Sequence, residues 1–137
     1  METPWGNLRV IDAHTHFFSH QFFQTFARLA KDTLPAEDPL RTMAQRLGVE
    51  IPVAETTTLA RRWVDEMDKY GIDRMVMFTS VPGDHPSVAA AAKTFPARII
   101  GYVMLDPTQP NAVALLREAV QGHGLKGVTL FPAMHHF

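Results

Sequence analysis

Three ionisable side chains crowd into one short run near the start of the chain, Ile11-Asp12-Ala13-His14-Thr15-His16. The residues before them, Leu8 to Val10, are largely apolar, so the whole segment reads as a strand over 8–16 that is buried early and polar late. Side chains alternate along a strand, which predicts Asp12, His14 and His16 on one face with Val10 beneath them. Two neutral imidazoles on alternate residues span about the width of one metal ion and suit Zn²⁺, as well as Fe, Ni and Cu. The competing reading is a pair of polar residues at a strand end. It is weakened by the desolvation cost of ionisable groups on a buried strand, which a bound ligand offsets.

Further strands are expected at 74–79, 99–105 and 127–131, each a near-continuous apolar run of the kind buried on both faces of a parallel sheet. Helices fill the intervals. Thr58 to Tyr70 sets Leu59, Trp63, Met67 and Tyr70 at helical spacing and stops at Gly71, while Val88 to Phe95 lies between Pro86 and Pro96. Ala112 to Gln121 runs between Pro110 and Gly122. The stretch from Phe17 to about Glu55 is an insert after the first strand, with short helices expected at about 19–31 and 38–48. The order β, insert, α, β, α, β, α, β is a βα repeat joined by crossover helices.

Loops carry binding residues more often than the elements they join, so residues in the loops after strands are candidates. Phe17, Phe18, His20, Phe22 and Phe23 follow the first strand, His85 the second, and His135 and His136 the fourth, so Phe17, His20, His85 and His135 are candidate substrate contacts. His123, between Gly122 and Gly124, precedes the fourth strand and reads as a turn histidine on the opposite side. Asp106-Pro107 reads as a helix start, and Met75, Met77 and Met104 as core.

The balance of 13 Lys and Arg against 14 Asp and Glu leaves no basic surplus for nucleic acid. The absence of cysteine excludes thiolate metal sites, disulfides and a Cys nucleophile. The longest apolar run, Ile99 to Leu105, is far below the roughly 18 residues of a membrane helix, and no secretory leader is visible. A cytoplasmic protein acting on a small molecule, without nucleic acid or membrane partners, is the expectation. A small doubly wound domain would fit the length but lacks a Gly-rich loop after the first strand.

Asp-x-His-x-His at the end of a first strand resembles the metal signature of the amidohydrolase superfamily. Gly71-Ile72-Asp73-Arg74 resembles the family's second strand, Arg98-Ile99-Ile100-Gly101-Tyr102-Val103 through Asp106-Pro107 its third, and Leu125-Lys126-Gly127-Val128-Thr129-Leu130-Phe131-Pro132 its fourth. The combination is most similar to the amidohydrolase-related branch that contains aminocarboxymuconate-semialdehyde decarboxylase.

This resemblance implies an α/β fold, the N-terminal half of a (β/α)₈ TIM-type barrel, with residues 1–137 as part of one domain that stops after strand four. His14 and His16 match the metal ligands of the first strand, with Asp12 behind them to orient an imidazole or to pack the strand. The third histidine ligand and the catalytic aspartate are expected beyond residue 137. Thr129 stands where some members carry a metal-bridging lysine, which implies one divalent ion, Zn²⁺ first, with Mn²⁺ or Fe²⁺ as alternatives.

The implied activity is hydrolysis of a small carboxylate, amide, ester or lactone by metal-activated water. A metal-dependent decarboxylase of the same fold is the first alternative. A catalytically incomplete half-barrel is the second, and its open sheet edges make a homo-oligomer an expectation.

Overall fold

The computed structural model describes residues 2–34 and 37–137. The chain opens with a small antiparallel hairpin, β1 (Glu2–Thr3) and β2 (Gly6–Asn7), that the sequence does not announce. Then follow β3 (Ile11–His16), α1 (His20–Leu29), α2 (Pro39–Leu47), α3 (Thr56–Tyr70) and β4 (Arg74–Phe78). The second half contains α4 (His85–Thr94), β5 (Ile99–Met104), α5 (Ala112–Arg117), a π-helical turn (Glu118–Gly122), β6 (Gly127–Thr129) and α6 (Pro132–His135).

Local chemistry sets the helix ends. The Ser19 hydroxyl accepts the Phe22 N–H, Asp38 the Arg41 N–H, and Glu55 the Thr57 N–H, each satisfying a backbone donor that a helix start leaves open. At the other end, Gly48 and Gly71 adopt left-handed φ of 65° and 66°, which a residue with a Cβ resists. α4 starts at His85 rather than Val88, because Pro86 fits the first helical turn, where no N–H partner is required. The expected helix over 112–121 is α-helical only to Arg117 and widens into the π turn beyond it.

Strands β3 to β6 form one parallel sheet in sequential order, β3-β4-β5-β6. Sequential order has no point where the winding reverses, so the sheet is not of the doubly wound type. One row of side chains, Met75 and Met77 of β4 with Ile99 and Val103 of β5, packs against Ala60, Val64 and Met67 of α3 and Val88, Ala89 and Ala91 of α4. Phe17, just past β3, is fully buried in the same cluster. The main core is therefore a layer of helices on one sheet face. The insert has its own small core of Phe23, Ala27 and Met43.

Arg98 locks the N-terminal end of β4. Its guanidinium donates to Asp68 Oδ1 at 2.6 Å, to the Ile72 carbonyl at 2.9 Å and to the Asp73 carbonyl at 2.9 Å. Asp73 in turn accepts the Val10 N–H at 2.7 Å and donates its own N–H to the Val10 carbonyl. These contacts tie the α3–β4 turn to the start of β5 and to the residue before β3. Further along, Tyr102 of β5 lies across Gly127 of β6, where a Cβ would press into the phenol ring.

Candidate functional site

The ladder between β3 and β4 is interrupted where the chemistry begins. Ile11 pairs with Arg74 and Asp12 with Met75, yet Thr15 pairs with Met77 and His16 with Phe78. Three steps along β3 match two along β4, a bulge that breaks strict alternation. Asp12 therefore pairs in the row of core-facing Met75, while His14 and His16 turn to the other face, beside Phe78. The expected sharing of one face by Asp12, His14 and His16 does not occur. The Asp12 carboxylate instead accepts the backbone N–H of His14 at 3.0 Å and touches neither imidazole by a hydrogen bond.

His14 and His16 do come together. Their ring centroids are 5.4 Å apart at an interplanar angle of 70°, and both rings meet the edge or face of Phe78, at 4.8 and 4.5 Å. Phe18 stacks on His16 at 5.3 Å. Nδ1 of His16 lies 2.5 Å from the hydroxyl of Ser80, two residues past the end of β4. When Nδ1–H donates to Ser80, the lone pair of Nε2 is free, which is the tautomer a metal ligand requires. Partial burial, and next to it the neighbouring His14, lower the pKa of His16, so it holds its neutral form to lower pH than a free imidazole. Ser80 is the residue that sequence pattern did not single out. Its only signal is its place just after a strand that pairs with β3.

The other candidates scatter. Phe17 lies in the helix-side core, where no substrate reaches it. His20 opens α1, and its Nδ1 contacts the Pro52 carbonyl at 2.8 Å beside a cavity of about 390 Å³ that Asp84 and Ser87 also line. His135 of α6 is on the histidine-pair side of the sheet but two rings away, through Phe131 and Phe78 in steps of about 6.3 Å. Thr129 of β6 pairs with Met104 of β5.

His85 leaves the sheet face altogether. Its ring is 5.2 Å from that of His123, and Glu118 stands between the two. His123 is thus not an isolated turn residue. Among the described residues, His85, Glu118 and His123 are the group of three whose ligand atoms lie close enough to share one ion, and no such group contains His14 and His16. No helix among the described residues is long and apolar enough to cross a membrane. Comparisons with protein-family models, curated proteins and solved structures found no match to this chain.

Proposed function

We propose that this chain belongs to a metal-dependent hydrolase of the amidohydrolase-related type, with His14 and His16 as ligands to one divalent cation and its sheet as the first half of a (β/α)₈ barrel. One observation carries the reading: two imidazoles stand side by side at the C-terminal end of a parallel strand, with Nδ1 of one engaged by Ser80. In (β/α)₈ barrels the active site is built at the C-terminal ends of the strands, the end at which this pair stands.

A divalent cation held by His14 and His16 would supply Lewis acidity toward a carbonyl and would lower the pKa of water toward neutrality. The chain's own residues do the rest. Ser80 fixes the plane of the His16 ring, and Phe18 and Phe78 wall the pair with apolar surface that favours a small substrate over bulk water. The substrate class is a small carboxylate, amide, ester or lactone, and Zn²⁺ is the first cation to try, followed by Mn²⁺ and Fe²⁺.

The full chain loaded with each metal in turn is assayed against a panel of such substrates, with CO₂ release followed in parallel. Loss of one bound equivalent of metal in His14→Ala/His16→Ala is the expected result, with any metal-dependent turnover lost alongside it. Turnover with CO₂ as product would move the assignment to the carboxy-lyase reading, and turnover indifferent to metal would overturn both.

A second reading has its own observation. β3 and β6 each present an unpaired edge within the described sheet, and such edges recruit other strands. A chain that sediments as a concentration-dependent oligomer and turns over nothing would be the self-associating half-barrel instead.

A further inference from the structure

The helix layer holds a cluster that the histidine pair does not explain. His85, the first residue of α4, is only 6% exposed, and its Nε2 has no hydrogen-bond partner. That nitrogen faces Glu118 Oε1 at 3.9 Å, and the same oxygen lies 3.6 Å from His123 Nε2. Both separations are too long for hydrogen bonds. They approach the roughly 3.3–3.4 Å between donor atoms that share one tetrahedral ion at bond lengths of about 2.0–2.1 Å.

Backbone geometry assembles the cluster. Glu118 and His123 are five residues apart, a spacing that in an α-helix of 3.6 residues per turn puts side chains on different faces. The π turn removes that obstacle: the His123 N–H donates to the Glu118 carbonyl at 3.1 Å, closing an i to i+5 ring and bringing the two side chains toward His85. Single π turns inside helices occur often at functional sites.

We propose that His85, Glu118 and His123 form a second metal site, a His₂Glu centre for Zn²⁺ or a similar borderline divalent cation, with its remaining position open to water. The ion joins the N-terminus of α4 to the segment that leads into β6, and it gives the buried Nε2 of His85 the partner it lacks. Imidazole and carboxylate together, without sulfur, suit Zn²⁺ better than Mg²⁺ or Ca²⁺, which prefer all-oxygen sites.

The test starts from the His14→Ala/His16→Ala variant of this chain, which lacks the pair on the sheet face, so the outcome is separate from the fate of the proposed hydrolase. Zinc chloride titrated into this variant, followed by calorimetry and thermal melting, is expected to bind one equivalent and to raise Tm. Adding His123→Ala or Glu118→Gln, both at exposed positions that leave the core intact, should weaken that binding at least about tenfold, the lower bound seen even when a mere supporting group is lost. Co²⁺ in place of Zn²⁺ should give the visible absorption of a four- or five-coordinate ion, lost in the same variants. Absence of zinc binding by the starting variant, or binding unchanged by His123→Ala and Glu118→Gln, would reduce the cluster to weak ion pairs and overturn the site.

Discussion

Nδ1 of His16 and Oγ of Ser80 stand 2.5 Å apart although 64 positions separate them in the chain. The contact joins the end of β3 to the loop after β4, so the ring plane of one imidazole is fixed by a neighbouring strand rather than by its own. His14 has no comparable side-chain restraint among the described hydrogen bonds, and only the rings of His16 and Phe78 hold it.

Ser80→Ala should therefore leave the sheet intact and loosen only the His16 ring. Affinity of the pair for Zn²⁺ is expected to fall by about 10- to 100-fold, the usual effect of losing a group that orients a ligand. Zinc titration of the variant in a His123→Ala background isolates this pair, and unchanged affinity would show that Ser80 does not orient it.

Arg98→Ala should be costly. The guanidinium serves two backbone carbonyls and the Asp68 carboxylate at the base of β4, and its loss leaves those carbonyls short of a donor. A loss of about 1–3 kcal/mol in urea unfolding is expected. Arg98→Lys should recover little of it, because an ammonium cannot present three donors in a fixed fork.

Gly127→Ala tests the close approach of Tyr102. The added methyl meets the phenol ring and should destabilise by about 1–3 kcal/mol, in the range of an overpacked contact. In a Tyr102→Ala background the same substitution should cost much less, and a double-mutant cycle measures the difference. Equal cost in both backgrounds would place the strain elsewhere.

Asp84 carries a pH signature. It is 1% exposed and accepts hydroxyl hydrogen bonds from Ser19 at 2.7 Å and Ser87 at 2.5 Å. Burial raises its pKa above the usual carboxylate value, against the opposing effects of Ser87, Ser19 and His85. A carboxyl whose pKa is raised on folding holds its proton longer in the native state than in the unfolded chain. Its contribution to stability is thus fully present below the unfolded value of 3.8 and is lost as pH rises through the folded pKa. The stability of the wild type relative to Asp84→Asn should fall as pH rises from about 4 into the mildly acidic range and then level off. Denaturant titrations of both proteins across that range measure it, and a flat difference would contradict the shift.

The sheet, its parallel order and the helices between its strands were legible because apolar runs and Pro or Gly punctuation act locally. The meeting of His14 and His16 was legible for the same reason, since residues two apart on a strand share a face. What was hidden depends on register and on neighbours far along the chain. The slip between Asp12 and Thr15 is set by pairing to β4, so Asp12 could not be placed from its own segment. Ser80 owes its role to a strand pairing, and Glu118 and His123 owe theirs to a π turn that no side-chain pattern marks. Phe17 seemed a loop residue beside the site, but it continues the alternation of β3 into the helix layer.

The bulge in β3 leaves that strand one residue longer than the stretch of β4 it accompanies. Removal of Ala13 is thus expected to straighten the ladder, setting His14 beside Val76 and keeping His16 beside Phe78, with both imidazoles where they are now. Removal of Thr15 also straightens it, but sets His14 beside Met77 and turns its ring into the helices. The strand has slack upstream of the two histidines and none between them.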